Sequence, residues 1–334
     1  MVVQAAKTAG PIVVPSLHPA FIFRGKFQYE GVVAGDLQKA FDLATGARRP
    51  DRWKILCEEG LRAGEPPPAR EVIAFLKRAR SANVLATDSE TTRENPLVGR
   101  LRCLSIATRT ETVVIPLLRR VGGWKKGHFE PAYSAPEEQA IRRLVREVLE
   151  SPRSVKRLQN APFDTLVYRA HEVADLTKAK IDDTMYLHHT VLPELPHKLA
   201  FLESIYGCGP NHKQVVREGA DADTKGSEKF ERMADKDLWP YNGIDSACLH
   251  PIADALLSEV KRAGLREVYD HDMRLARVTL EMRARGITYD IERARYYRRM
   301  LNRVARYRLE AMAGLAGLEP VKLRPNRGSQ VRQA

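Results

Sequence analysis

Three short apolar runs, 84–87, 101–108 and 112–116, follow one another across brief connections, and an amphipathic segment opens after them at Pro136. Runs this short and this close together are strands rather than helices, and they predict the start of an antiparallel meander. After Pro136, the apolar residues Ile141, Leu144, Val145, Val148 and Leu149 recur at helical spacing, with Glu137 and Glu138 in the first turn, where the helix dipole favours acids. That helix should cover the sheet. A helix over 70–80, with Val72, Ile73, Phe75 and Leu76 on one side, is expected before the first strand. Further on, 155–159 reads as a strand and 163–170 as a helix, and Asp182 or Asp183 caps the helix that carries Met185, Tyr186 and Leu187. The β-then-α order predicts an α/β fold with a mixed sheet flanked by helices.

Pro66, Pro67 and Pro68 stop helix and sheet alike, so a domain boundary is placed there. The polar stretch 207–235, rich in Gly, Lys and Asp, reads as an exposed loop near a substrate, with helix resuming at Leu238. With 334 residues the chain has room for two domains of usual size. Its net charge is +13, and residues 265–334 hold sixteen basic against eight acidic side chains. Two readings fit that surplus equally: a polyanionic partner, or a solvated helical face. Cys57, Cys103, Cys208 and Cys248 are scattered without C-x-x-C pairs, which argues against zinc and for reduced thiols. There is no apolar run of spanning length and no leader pattern, so no membrane partner is expected.

Asp88 and Glu90 stand at i and i+2 directly after the first apolar run, where a strand aims both carboxylates to one side. Chance supplies Asp-x-Glu about once in a chain of ordinary composition and this length. The chain contains its own control: Asp290-Ile-Glu292 has the same spacing but opens an arginine-rich run, where an acidic helix start accounts for it. Two later segments alter the weight of the first pair. Lys156-Arg-Leu-Gln-Asn-Ala-Pro-Phe-Asp-Thr165 places Asn160 at the end of a strand and Asp164 just beyond it. Trp239-Pro-Tyr-Asn-Gly-Ile-Asp-Ser246 places Tyr241 and Asp245 at i and i+4, on one helical face.

In this order and at these separations, the three segments resemble the three exonuclease motifs of the DEDD superfamily of 3′–5′ exonucleases. Tyr241, where other members carry histidine, is similar to the subgroup found in the proofreading domains of family A DNA polymerases, the DNA polymerase I type. Asp183-Thr-Met-Tyr-Leu-His-His189 and Leu195-Pro-His-Lys-Leu-Ala-Phe-Leu202 resemble the connecting segment of such domains. The resemblance implies a ribonuclease H-like sheet followed by a mostly helical C-terminal extension. It also implies a site holding two Mg²⁺ or Mn²⁺ ions: Asp88, Glu90 and Asp245 around the ion that activates water, Asp88 bridging to the second ion, and Asp164 acting on that ion largely through water. Tyr241 would orient the nucleophilic water, and Asn160, Phe163 and Thr91 would contact the substrate. Oxygen ligands alone suit these metals, and two such ions can clamp both reacting oxygens of a phosphodiester. The implied activity is proofreading-type hydrolysis of DNA from the 3′ end, releasing 5′-mononucleotides.

At the C-terminal side, the segment 272–290 is similar to the entry into the polymerase domain of family A enzymes, with a helix ending at Gly286 and a short strand after it. Basic residues from Arg293 to Arg308 would then lie on the first thumb helix, and 326–330 resembles the next turn. No palm motif follows, so this chain is not expected to polymerise DNA by itself. At the N-terminal side, Gly10-Pro-Ile-Val-Val-Pro-Ser-Leu-His-Pro-Ala-Phe-Ile-Phe-Arg24 is similar to the last motif of uracil-DNA glycosylases, with His18 at the matching histidine and Arg24 closing the motif. The expected division is a glycosylase-like remnant over 1–45, a linker over 46–69, the exonuclease domain over 70–262 and a truncated start of a polymerase domain over 263–334. Expected partners are single-stranded DNA 3′ ends or frayed primer termini, with a separate polymerase-domain polypeptide as a further candidate. The expected setting is the cytoplasm of a bacterial or phage-infected cell. The alternatives are an RNA 3′–5′ exonuclease of the same superfamily and a non-catalytic nucleic-acid-binding module.

Overall fold

The apolar runs form the centre of a five-stranded sheet in the computed structural model of the chain, which describes residues 2–3, 12–14, 16–47, 53–122, 127–207, 229–315 and 317. The strands are β1 (Val84–Thr91), β2 (Leu101–Ala107), β3 (Thr112–Pro116), β4 (Val155–Leu158) and β5 (Lys180–Asp183). Their order in the sheet is β3-β2-β1-β4-β5. The first three make the antiparallel meander, while β4 and β5 add in parallel, as strands do when a helix carries the chain back. Those helices are α5 (Ala135–Leu149), before β4, and α6 (Ala161–Ala170), between β4 and β5. The mixed sheet flanked by helices is therefore present.

Alternation along the strands sorts their side chains onto two faces of the sheet. On one face Leu85, Leu104, Ile106, Val113 and Ile115 pack with α5 and with α4 (Ala69–Ala79). Ser134 and Glu137 form a capping box that starts α5 at Ala135, one residue before the proline. On the other face lies the long helix α10 (Asp235–Arg262). Its Cys248, Leu249, Ile252 and Leu256 share a core with Ala86 and Ala107. Leu238, Trp239 and Ile244 share another with Cys103, Val114 and Ile55. Gly243 makes the approach possible: a Cβ there would stand 2.9 Å from Val114 Cγ2 and 3.2 Å from Ile55 Cδ1.

Several boundaries differ from the sequence expectation. Strand β1 continues through Asp88 and Glu90 to Thr91, because Ser105, Leu104 and Cys103 of β2 keep pairing with it; a register shift follows at Glu90/Thr91. Helix α10 starts at Asp235, not Leu238, and residues 229–232 of the expected loop form the short helix α9 (Lys229–Arg232). The second half of the expected linker belongs to the folded unit. Ile55 bridges to Thr112, and Leu61 of α3 (Glu58–Ala63) is fully buried with Leu238 and Trp239. Nearer the N-terminus are α1 (Pro19–Phe23) and α2 (Glu30–Thr45). Lys39 Nζ donates to the carbonyl of Ser204 on α8 (Leu199–Tyr206), and the Tyr29 ring meets Phe201 edge-on at 6.3 Å. Cys208, most of the 207–235 loop, residues 10, 11 and 15 of the 10–24 segment and all of 326–330 lie outside the described residues.

The chain divides into units 1–281 and 282–334, with the division inside α11 (Arg266–Arg285). In the second unit, Gly286 takes a left-handed φ of +69° after that helix. The short strand expected next is not formed, since 286–290 pair with no strand among the described residues. Instead Asp290 caps α12 (Ile291–Leu315), accepting the Arg293 N–H at 2.9 Å, while Glu292 pairs with Arg295 at 2.6 Å. The second Asp-x-Glu is thus a helix start. No helix among the described residues is long and apolar enough to cross a membrane.

Candidate active site

Successive side chains of β1 face different layers. Thr87 and Ser89 turn to α6, where Thr87 Oγ1 lies 2.7 Å from Tyr168 Oη. Asp88 and Glu90 turn the other way, to α10. There Asp245 joins them, and one carboxylate oxygen from each of the three lies within 4.8 Å of the others. Glu90 and Asp245 are buried and Asp88 is half-buried.

Tyr241 sits one turn before Asp245 and hydrogen-bonds its carboxylate. Burial, reinforced by the charges of Asp245, Glu90 and Asp88, pushes the phenol far above its ordinary range. Its hydroxyl is therefore a neutral donor and not a base. Asn242 is fully buried beside it, with Nδ2 donating to Asp88 Oδ2 at 2.7 Å. Ser105 Oγ donates to the Asn242 carbonyl at 2.9 Å and ties this turn of α10 to β2. Helix and strand are joined at the point where their acids meet.

Carboxylates this close repel by about 4 kcal/mol per pair at an effective dielectric near 20. Arg102, buried next to Cys103 on β2, reaches Glu90 with its field but is itself paired with Asp235. A hard divalent cation fits a donor set made wholly of carboxylate oxygens, with Mg²⁺ or Mn²⁺ the natural choice over zinc.

Asp164 is not part of this group of three. It lies on the α6 side of β1, 2 % exposed, and accepts a hydrogen bond from Ser89 Oγ at 2.5 Å. Burial, helped by the nearby Asp183 carboxyl, raises its pKa above the ordinary carboxylate range, against the pull of that bond. Asn160 precedes α6 in the left-handed region, φ +63°, and its N–H donates to Asp183 at 3.1 Å. Phe163 is partly buried against the main core, and Thr91 Oγ1 donates to the Arg93 carbonyl at 2.6 Å. His18 is exposed and caps α1, accepting the Ala20 N–H at 3.1 Å, and the exposed Arg24 stands at that helix's C-cap.

Sequence reasoning passed over three residues that hold this arrangement. Asn242 lies inside the third motif but neighbours Asp88 only through tertiary packing. Alternation assigns Ser89 to the face opposite Asp88, yet its acceptor depends on where α6 lies. The sequence offers Asp183 only as an alternative to Asp182 for the cap of one helix; its carboxylate also accepts the first N–H groups of α6, a role no local pattern shows.

A family model described as 3′–5′ exonuclease matches residues 68–261, more than half of the chain. The chain belongs to the 3′–5′ exonuclease family. Its sheet, with helices on both faces, is the ribonuclease H-like arrangement of such nucleases. No curated relative matches the exonuclease in sequence. Among solved structures, the POL domain of Pol1 from M. smegmatis, in complex with DNA primer-template and dNTP, is similar with a TM-score of 0.50 at 16% identity, covering 80% of this chain and 39% of that one. Brucella melitensis NrnC is similar at 17% identity with a TM-score of 0.44, covering 64% of this chain and 91% of that one. Escherichia coli RNase D, an exoribonuclease involved in structured RNA processing, is similar at 14% identity with a TM-score of 0.40, covering 71% of this chain and 52% of that one. At these identities a likeness concerns fold alone, and the exonuclease match stops short of residues 1–67.

Proposed function

We propose that this exonuclease hydrolyses DNA from the 3′ end, releases 5′-mononucleotides and works with two divalent ions, Mg²⁺ or Mn²⁺. The observation that carries the reading is the meeting of Asp88, Glu90 and Asp245, with Tyr241 beside them, inside a chain of the exonuclease family. Asp88, Glu90 and Asp245 would hold the metal, and Asp164, behind β1, would be the fourth acid of the site. When bound, the metal supplies Lewis acidity toward the phosphodiester and lowers the pKa of water.

The chain's own groups do the positioning. Asn242 fixes the rotamer of Asp88 by its hydrogen bond to Oδ2. The Tyr241 hydroxyl, whose one proton is donated to Asp245, orients the attacking water by accepting a hydrogen bond from it and takes no proton from it. Asn160, Phe163 and Thr91 contact the terminal nucleotide in this reading, so the β1 end and the α6 start form the substrate side.

One feature supports DNA as substrate: the segment 272–290 resembles the entry to a family A polymerase domain. Single-stranded or frayed 3′ ends are then the substrate, and a separate polymerase-domain polypeptide is a candidate partner in the cytoplasm. His18 serves as a helix cap, which suits a glycosylase-like remnant without its own activity.

The test is a rate comparison on matched 5′-labelled DNA and RNA strands with Mg²⁺. Faster stepwise shortening of DNA is expected. Faster RNA trimming would overturn the substrate assignment, and salt-sensitive binding without metal-dependent cleavage would reduce the chain to a binding module.

A further inference from the structure

Asp183 is completely buried at the end of β5 and stands at the start of two helices at once. As N-cap of α7 (Thr184–Val191), its Oδ1 accepts the N–H of Met185 at 2.9 Å and of Tyr186 at 3.3 Å. The same carboxylate accepts the N–H of Asn160 at 3.1 Å and of Ala161 at 2.6 Å, the first donors of α6. Unbonded donors at a buried helix start are costly, and here one side chain satisfies both sets.

The α6 start needs such a hold. Asn160 adopts φ +63° and ψ +55°, a left-handed conformation that asparagine enters more readily than most side chains but that only its neighbours' hydrogen bonds fix here. No side-chain cap from Asn160 itself closes the turn. Neighbouring bonds brace it from the α7 side: Thr184 Oγ1 donates to the Leu158 carbonyl at 3.1 Å and to Gln159 Oε1 at 2.5 Å, and Gln159 Nε2 donates to the His197 carbonyl at 2.6 Å. Asp183 is held in turn, because its own N–H donates at 2.9 Å to the hydroxyl of Tyr269, a buried residue of α11. Asp164 follows Asn160 by one helical turn, so the direction in which α6 presents it is set at this point.

We propose that Asp183 is a positioning residue of the exonuclease, fixing the left-handed turn at Asn160 and thereby the placement of Asp164 behind the strand that bears Asp88 and Glu90. The inference rests on the reading of Asp164 as the fourth acid of the site. A carboxylate suits the task better than its amide isostere, since four N–H groups converge on it and an amide would set its own donors against some of them.

The experiment compares the full chain with Asp183→Asn and Tyr269→Phe. Amide hydrogen exchange is followed at 160–161 and 185–186, and kcat, KM and the Mg²⁺ midpoint are measured on a single-stranded oligonucleotide well below the melting temperature. In Asp183→Asn, exchange should speed up at both helix starts and kcat should fall about tenfold to a hundredfold, with KM and the Mg²⁺ midpoint both raised. A purely structural role would lower the melting temperature and leave kcat intact, which overturns the inference. So does unchanged exchange at Asn160 and Ala161, whatever the activity. If Asp183→Asn does not fold, Tyr269→Phe keeps the carboxylate and should lower kcat more mildly; parental kcat in that variant also overturns the inference. An inactive parent chain overturns the exonuclease reading instead, and with it the catalytic part of this one.

Discussion

Asn242 Nδ2 donates to Asp88 Oδ2 at 2.7 Å, so the helix that brings Asp245 and Tyr241 to the site also orients the strand carboxylate opposite them. Asn242→Ala should leave the fold in place and free the Asp88 rotamer. A fall in activity of about tenfold to a hundredfold is expected, together with a raised Mg²⁺ requirement. Titration of activity with Mg²⁺ for both proteins checks this, and an unchanged curve would show that the bond is incidental.

Gly243, the next residue, acts through packing. A methyl group there meets Val114 Cγ2 at 2.9 Å and Ile55 Cδ1 at 3.2 Å, so α10 must move off the sheet or the neighbours must give. Overpacking of this kind costs about 1–3 kcal/mol. Gly243→Ala should therefore lose melting temperature and activity together, whereas Asn242→Ala loses activity alone. Thermal melts run beside the assay separate the two cases.

Much of this site could be read from the chain because strand and helix periodicities are short-range. Alternation put Asp88 and Glu90 on one face, and the four-residue spacing put Tyr241 above Asp245. The control at Asp290 also behaved as its context implied, capping α12. What escaped were relations between elements distant in sequence. Ser89 reaches Asp164 across seventy-five positions and Asn242 reaches Asp88 across one hundred and fifty-four, and no local pattern encodes either pair. The early start of α10 has the same origin: Asp235 is anchored by Arg102 of β2 and by the N–H of Arg120, partners outside any local window.

Arg102 offers a stability test of that anchor. Its side chain is fully buried, pairs with Asp235, and donates to the carbonyls of Phe230 at 2.6 Å and Met233 at 2.8 Å. Arg102→Met would strand a buried carboxylate and two carbonyls, at a cost of about 3–5 kcal/mol. Denaturant unfolding measures it, and a loss well under this range would mean that water or another cation replaces the guanidinium.

His250 gives a pH dependence with a definite sign. Its Nε2 lies 3.1 Å from the Ala107 carbonyl, to which it donates, and Arg157 Nη1 approaches Nδ1 at 3.5 Å, an arrangement for neutral imidazole. Burial lowers its pKa from 6.5 to about 4; Arg157 and Arg109 push the same way, and the Ala107 bond and Asp254 oppose them. Because the folded value is the lower one, the unfolded chain takes the proton first as pH falls. Stability present above the unfolded pKa of 6.5 is then lost progressively toward about 4. Buried acids such as Asp183 titrate in the opposite sense, so the comparison must be with His250→Gln, which can keep both hydrogen bonds without titrating. The melting temperature of the parent should drop relative to that variant on acidification; parallel curves would contradict the assignment.

The central claim, a metal-dependent exonuclease built on Asp88, is tested most directly by incubating the full chain and Asp88→Ala with Mg²⁺ and a 5′-labelled single-stranded DNA. The parent should yield a ladder shortening from the 3′ end, with 5′-mononucleotides released and the reaction stopped by chelation. The variant should be folded and inactive. Undiminished shortening by Asp88→Ala would contradict the account.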